Sequence, residues 1–182
     1  MTHALRRCYG ETMDITGLLH DAFSRITGVV HWTVDGLDVD DLRWRPDADA
    51  NPVGWLVWHL TRIQDDHVAE IADREQVWTQ RDWAAEFGLP SGAMDHGWGH
   101  TSDEVARIRP ASPAVLLDYH DQVATATGQV IDTLDEAALD RIIDDSYDPP
   151  VSVGVRIVSV VDDNTQHAGQ AAYLRGMLGR RS

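Results

Sequence analysis

Four stretches of this chain repeat their apolar side chains every three or four positions: residues 13–36, 51–75, 113–134 and 152–178. That spacing belongs to α-helices with one face turned inward. Each apolar stripe needs a partner, and four such helices can cover one another. The pattern therefore predicts an all-α four-helix bundle with long connecting loops. In the first stretch Leu18, Leu19, Ala22, Phe23, Ile26, Val29 and Val30 hold the period, and Gly36 ends it. The second opens "NPVGW", with Asn51 as N-cap and Pro52 at the first helical position. The third starts at Pro113, behind Ser112. The fourth opens "VSVGVRIVSVV", β-branched enough to pass for a strand, but its apolar pattern runs on to Leu178, a length that favours helix.

The connections read less regularly. "DVDDLRWRPDADA" is expected as a loop around Pro46, and "QVWTQRDWAAEFGLP" as a connector with a short helix near Trp83. Residues 88–112, rich in Gly, Pro, Ser and His, form a long loop of the kind that carries function in compact domains. "DEAALDRIIDDSYDPP" reads as a helical turn and a Pro-ended loop. Residues 1–12 show no clean period and are read as a flexible N-terminal extension to one domain spanning 13–182.

Charge and composition exclude several functions. The net charge is −15, which repels a phosphate backbone and an anionic membrane surface, so neither nucleic acid nor membrane is an expected partner. No apolar run is long enough to span a bilayer and no signal peptide is visible, so the expected location is cytoplasmic. The single Cys8 rules out an internal disulfide framework and a thiolate-rich metal site. No phosphate-binding glycine loop and no Gly-x-Ser-x-Gly elbow is present.

Polar groups on apolar helix faces carry the functional signal. In "VVDDNTQHAGQ", residues 160–170, Asp163 and His167 are four apart and so about 40° apart around a helix. Val160, Gln170 and Leu174 continue their stripe. An acid and an imidazole facing a core are costly unless something satisfies them. His59 sits in a similar setting, amid Trp55, Leu56, Leu60 and Ile63. By itself it reads as a hydrogen-bonded core histidine. Together with Asp163 and His167 it makes a two-histidine, one-carboxylate set for a divalent metal, with coordination positions left open. Gln170 is either a donor behind this site or a polar contact at the bundle end. Arg156, on the same stripe, either binds a ligand carboxylate or pairs with a surface acid. His100 either lines the site entrance or, with Thr101, caps the turn into "SDEVARI"; His96 and Trp98 share that ambiguity. His67 reads as a solvated surface residue, and His20, His31 and His120 as surface or packing residues.

The strings "NPVGWLVWHLTRIQDDHV" and "VSVVDDNTQHAGQAAYLRGML", with "GWGHTSDEV" between them, resemble the DinB-like superfamily. Within it the chain is similar to the actinobacterial branch of mycothiol transferases, relatives of the metal-binding domain of mycothiol-dependent maleylpyruvate isomerase. The resemblance implies a metal held by His59, Asp163 and His167, with zinc as the ion and nickel as the alternative. It implies mycothiol as thiol co-substrate and a small electrophile as the second substrate; by their position near the stripe and the 88–112 loop, Arg156, Gln170 and His100 are the candidate thiol-binding residues. The expected activity is that of a metal-dependent thiol S-transferase. The alternatives are a non-catalytic stress-response or binding module with a structural metal, and a metal-dependent hydrolase. A homodimer is an assembly the reading leaves open.

Overall fold

The structure is a computed structural model that describes residues 13–180. The extension read at residues 1–12, with Cys8, lies outside the described residues. Four long helices form the bundle: α1 Ile15–Val34, α3 Val53–Ala72, α7 Pro113–Ile131 and α9 Val153–Leu178. Short helices punctuate the connections: α2 Val39–Arg43, α4 Val77–Gln80, α5 Trp83–Glu86, α6 Ser102–Val105 and α8 Glu136–Leu139.

The helix starts follow local chemistry. Asp14, Ser112 and Ser152 cap α1, α7 and α9 by accepting a backbone N–H three residues on. Pro113 occupies the first turn of α7 as expected. At α3 the cap falls on Pro52, not Asn51, and no side chain bonds there. The buried positions of α1 (Phe23, Ile26, Val30, Val34) keep the helical period. Helix α3 is buried on nearly every side, because α9 and α7 flank it and the 73–112 connection covers what remains.

Side-chain pairs give the helix directions. His20 meets Asp132 and His31 meets Asp121, so α1 and α7 are antiparallel. Gln64 meets Asn164 and Glu70 meets Arg156, so α3 and α9 are antiparallel too. Thr61 meets His120 and Gln64 meets Thr127, so the neighbours α3 and α7 run parallel. Parallel neighbours cannot be joined by a tight turn. The chain must return along the bundle, about 30 Å for the 20 residues of α3. This accounts for the length of the segment 73–112.

Two local expectations are corrected. "DVDDLRWRP" contains a helix, α2, because Asp38 and Asp41 form a reciprocal capping box. The segment before α9 contains a two-stranded antiparallel hairpin, β1 Ile142–Asp144 with β2 Val151–Ser152. Strands this short and only half-buried leave no readable alternation in the sequence. Within 88–112, Thr101 and Glu104 form a second capping box that starts α6.

The returning segment is bolted to α3 through a buried polar network. Arg62 is fully buried. Its Nη1 donates to Gln76 Oε1 at 3.0 Å and Tyr119 Oη at 3.2 Å, and its Nε donates to the Asp95 carbonyl at 3.1 Å. The Asp65 carboxylate accepts the backbone N–H groups of Val77 and Trp78 at 2.8 Å and the Tyr119 hydroxyl at 2.9 Å. These bonds fix residues 76–78 and 95 against α3. A second layer runs from Asn164 through Gln64 to Thr127, tying α9, α3 and α7 together.

Candidate metal centre

The antiparallel contact of α3 with α9 brings His59, Asp163 and His167 together. One ligand atom from each lies within 4.8 Å of the others. His59 is 3% exposed, while Asp163 and His167 are half-buried, so the cluster lies at the boundary of the core and not sealed within it.

Hydrogen bonds decide which atom each histidine presents. His59 Nδ1 lies 2.5 Å from the His96 carbonyl oxygen, which can only accept, so that nitrogen carries the proton. His167 Nδ1 donates to Gln170 Oε1 at 2.9 Å. Both rings therefore offer an unprotonated Nε2, the second nitrogen being held by an oxygen, as metal-ligating imidazoles require. His167 Nε2 and Asp163 Oδ1 are 3.5 Å apart. Two tetrahedral ligands, each about 2.1 Å from a zinc-sized ion, stand at roughly that separation, ~3.4 Å. The other carboxylate oxygen, Asp163 Oδ2, is buried and has no hydrogen-bond partner. A carboxylate with a buried unsatisfied oxygen, clustered with two histidines, fits a cation.

The electrostatics agree. Burial pushes the His59 pKa down, against the hydrogen bond to His96 and the charge of Asp163, so the ring stays in the neutral, ligating form. His167 is pushed up, first by its interaction with Asp163, against burial. The carboxylate of Asp163 thus favours positive charge at the point where the two rings meet it.

Three features position His59. Trp55 lies flat on its ring at 4.7 Å and 11°, and its edge meets His167. The 95–100 loop closes over the far side. Gly97 adopts φ +90°, and a Cβ there would come within 2.9 Å of both His59 Nδ1 and the Trp58 ring. Only glycine lets the backbone approach this closely in that conformation.

The structure separates the other candidates. Gln170 orients His167 directly. His100 turns away from the ligands: its Nδ1 accepts from Trp55 Nε1 at 3.1 Å and its Nε2 donates to Asp95 Oδ2 at 2.8 Å. Arg156 lies two helical turns from Asp163 and is engaged by Glu70 at 3.3 Å and Asp144 at 3.2 Å. His67 is half-buried beside Asp66, Glu70 and Arg156, not solvated as expected. Trp98 is 79% exposed. His120 is fully buried against Thr61 and Thr27. Trp55, Asp95 and Gly97 were not singled out by sequence reasoning. The "DHGWGH" run was the available signal, since paired glycines between histidines imply a backbone held close to something.

A four-helix bundle with two histidines and one carboxylate converging from facing helices defines a class of metal-binding helical bundles. Within that class the chain belongs to the DinB superfamily, whose family model matches residues 22–171. A crystal structure of a conserved protein from Enterococcus faecalis is similar, with a TM-score of 0.82 and 30% identity over 90% of this chain and 96% of that one. A search of curated proteins finds no significant match. Among the described residues, no helix is long and apolar enough to cross a membrane.

Proposed function

We propose that this protein is a metal-dependent thiol S-transferase that joins a low-molecular-weight thiol of the mycothiol type to a small electrophile. The observation that carries the reading is the convergence of His59, Asp163 and His167, whose ligand atoms lie within 4.8 Å of one another, with Asp163 Oδ2 buried and unpartnered. Two nitrogens and a carboxylate oxygen suit zinc, with nickel as the alternative. A divalent ion bound there would supply a Lewis acid that lowers the pKa of a thiol reaching its open position.

The chain's own residues do the rest. Asp163 places a negative charge against the ion and keeps the site's net charge low. Gln170 and the His96 carbonyl hold the two rings in the ligating tautomer. Trp55 keeps water off one face of His59. In this reading the thiol substrate supplies the sulfur nucleophile.

Beside Gln170 opens a cleft of about 520 Å³ lined by Asn51, Leu56, Gln166, Tyr173 and Leu174. No charged side chain lines it. Amide groups and an aromatic ring suit an uncharged, hydroxyl-rich portion of a thiol, and the acidic chain disfavours a charged tripeptide thiol such as glutathione. In the transfer the thiol sulfur forms a bond to the electrophilic carbon. With a chloro-dinitro arene the carbon–chlorine bond breaks, and chloride and one proton are released.

The test offers zinc- or nickel-loaded protein several thiols and one chromogenic electrophile. Consumption should require thiol, favour mycothiol over glutathione, and be lost in Asp163→Ala and His167→Ala, because without the ion a typical thiol is only a few per cent ionised near pH 7. Equal rates for wild type and Asp163→Ala with every thiol would refute the transferase reading. Thiol-independent ester or amide cleavage would favour a hydrolase instead.

A further inference from the structure

We propose that Asp95 is a positioning residue for the metal ligand His59, acting through His100 and Trp55 along a hydrogen-bond chain of fixed polarity. The inference rests on the reading of His59, Asp163 and His167 as metal ligands, and it assigns the ion's affinity in part to a side chain that is not itself a ligand.

The polarity follows from what each group can do. An indole N–H only donates, so Trp55 Nε1 requires an acceptor. His100 Nδ1 receives it at 3.1 Å and must be unprotonated. The proton of the neutral His100 ring is then on Nε2, which donates to Asp95 Oδ2 at 2.8 Å. The other oxygen, Asp95 Oδ1, accepts the Gly97 N–H at 2.9 Å. Both partners of this carboxylate are donors, and a carboxylate answers both.

Each arm ends on His59. Through His100 the carboxylate fixes the indole N–H of Trp55, whose ring lies on the His59 face. His100 is itself stacked on Trp58, at 6.0 Å and 19°, so the relay has a rigid seat. Through Gly97 the carboxylate fixes the turn that carries the His96 carbonyl, the acceptor of His59 Nδ1–H. Arg62 Nε holds the Asp95 carbonyl from the opposite side. One aspartate therefore governs both the ring plane and the tautomer of His59.

Asp95→Asn is the discriminating substitution because it is nearly isosteric. The amide presents one oxygen and one NH₂ to two donors, so one donor faces a donor whichever way it turns. Removing the indole donor should relieve the conflict: in a Trp55→Phe background His100 is free to take the other tautomer and accept from the amide.

The experiment is a chelator-competition titration of zinc and of nickel into wild type, D95N, W55F and the W55F/D95N double variant. Thermal melts of each metal-free protein run in parallel, with an NMR measurement of the His59 ring tautomer. Losing a partner that orients a ligand typically costs about 10- to 100-fold in metal affinity. D95N should show a loss of that size and a mixed His59 tautomer, where wild type shows Nδ1–H alone. W55F/D95N should differ from W55F by no more than about threefold, the non-additivity expected of residues in one network. If D95N does not fold, His100→Leu interrupts the same relay and should lose affinity comparably. Affinity of the folded variant within twofold of wild type, with an unchanged tautomer, overturns the proposal. Wild type that takes up neither ion overturns the metal reading and the proposal with it.

Discussion

His120 gives the bundle a built-in sensitivity to acid whose size can be worked out. The ring is fully buried between α7, α3 and α1. Thr61 Oγ1 gives its one hydrogen to the Val57 carbonyl at 2.7 Å. It can therefore only accept from His120 Nδ1, 3.0 Å away. His120 Nε2 is left to accept from the Thr27 hydroxyl at 3.3 Å. A neutral imidazole is fully satisfied there, and a second proton would place a charge in the core. Burial accordingly pushes the His120 pKa down to about 4, against a small opposing pull from Asp121. In the unfolded chain the ordinary value is about 6.5. The unfolded state thus binds more protons between those two values, and stability falls as pH drops from about 6.5 towards 4. At pH 5 the loss relative to pH 7 is about 2 kcal/mol, and below pH 4 it levels off near 3 kcal/mol, at about 1.4 kcal/mol per pH unit of separation. The assay is urea denaturation of metal-free wild type and His120→Gln at pH 7 and pH 5. Other titrating groups act alike in both proteins, so the difference between the two pH-dependent losses isolates His120. His120→Gln should lose about 2 kcal/mol less than wild type on going to pH 5. Matching losses in the two proteins would refute the assignment of the acid sensitivity to this ring.

Two further outcomes follow from the same structure. Gly97→Ala should weaken zinc binding in a chelator competition and destabilise the metal-free protein by about 1–3 kcal/mol, because the methyl must displace His59 or Trp58 from a backbone that already has positive φ; an unchanged affinity would show that the loop does not bear on the ligand. Arg62→Met should cost about 3–5 kcal/mol in urea denaturation, since it leaves the buried Asp65 carboxylate without its guanidinium and frees the Asp95 carbonyl; a loss below about 1 kcal/mol would show that water replaces those bonds.

The long helices and the convergence of His59, Asp163 and His167 were legible because each leaves a local trace. Ser112–Pro113 marks a start, and Asp163 with His167 shows a polar pair on an apolar stripe. What was not legible depends on partners far away in the chain. Nothing near His120 shows that Thr61 and Thr27 will enclose it, so a fully buried ring read as a surface or packing residue. Nothing near Asp95 shows that its carboxylate will face His100 and Gly97 over the His59 ring. Arg156 shares the stripe of Asp163 by spacing, yet Glu70 and Asp144 claim it two helical turns away. Helix α2 and the hairpin escaped for another reason: five residues and a two-residue strand are too short to establish a period.

The separation of the ligands along the chain has a kinetic consequence. Asp163 adjoins Asn164 and His59 lies five residues before Gln64, and Gln64 and Asn164 are a pair 100 positions apart that meets only when α9 docks on α3. The crossover carrying His96 must also be seated before His59 is oriented. A binding pocket for the ion therefore needs these long-range contacts, and if they form after the rate-limiting barrier of folding the ion meets no site in the transition state. An ion held by such late contacts should leave the refolding rate nearly untouched and act almost wholly on unfolding. The native lifetime would then lengthen in proportion to ion occupancy. If the site holds a divalent ion in the cell, the persistence of the folded chain would then track the supply of that ion.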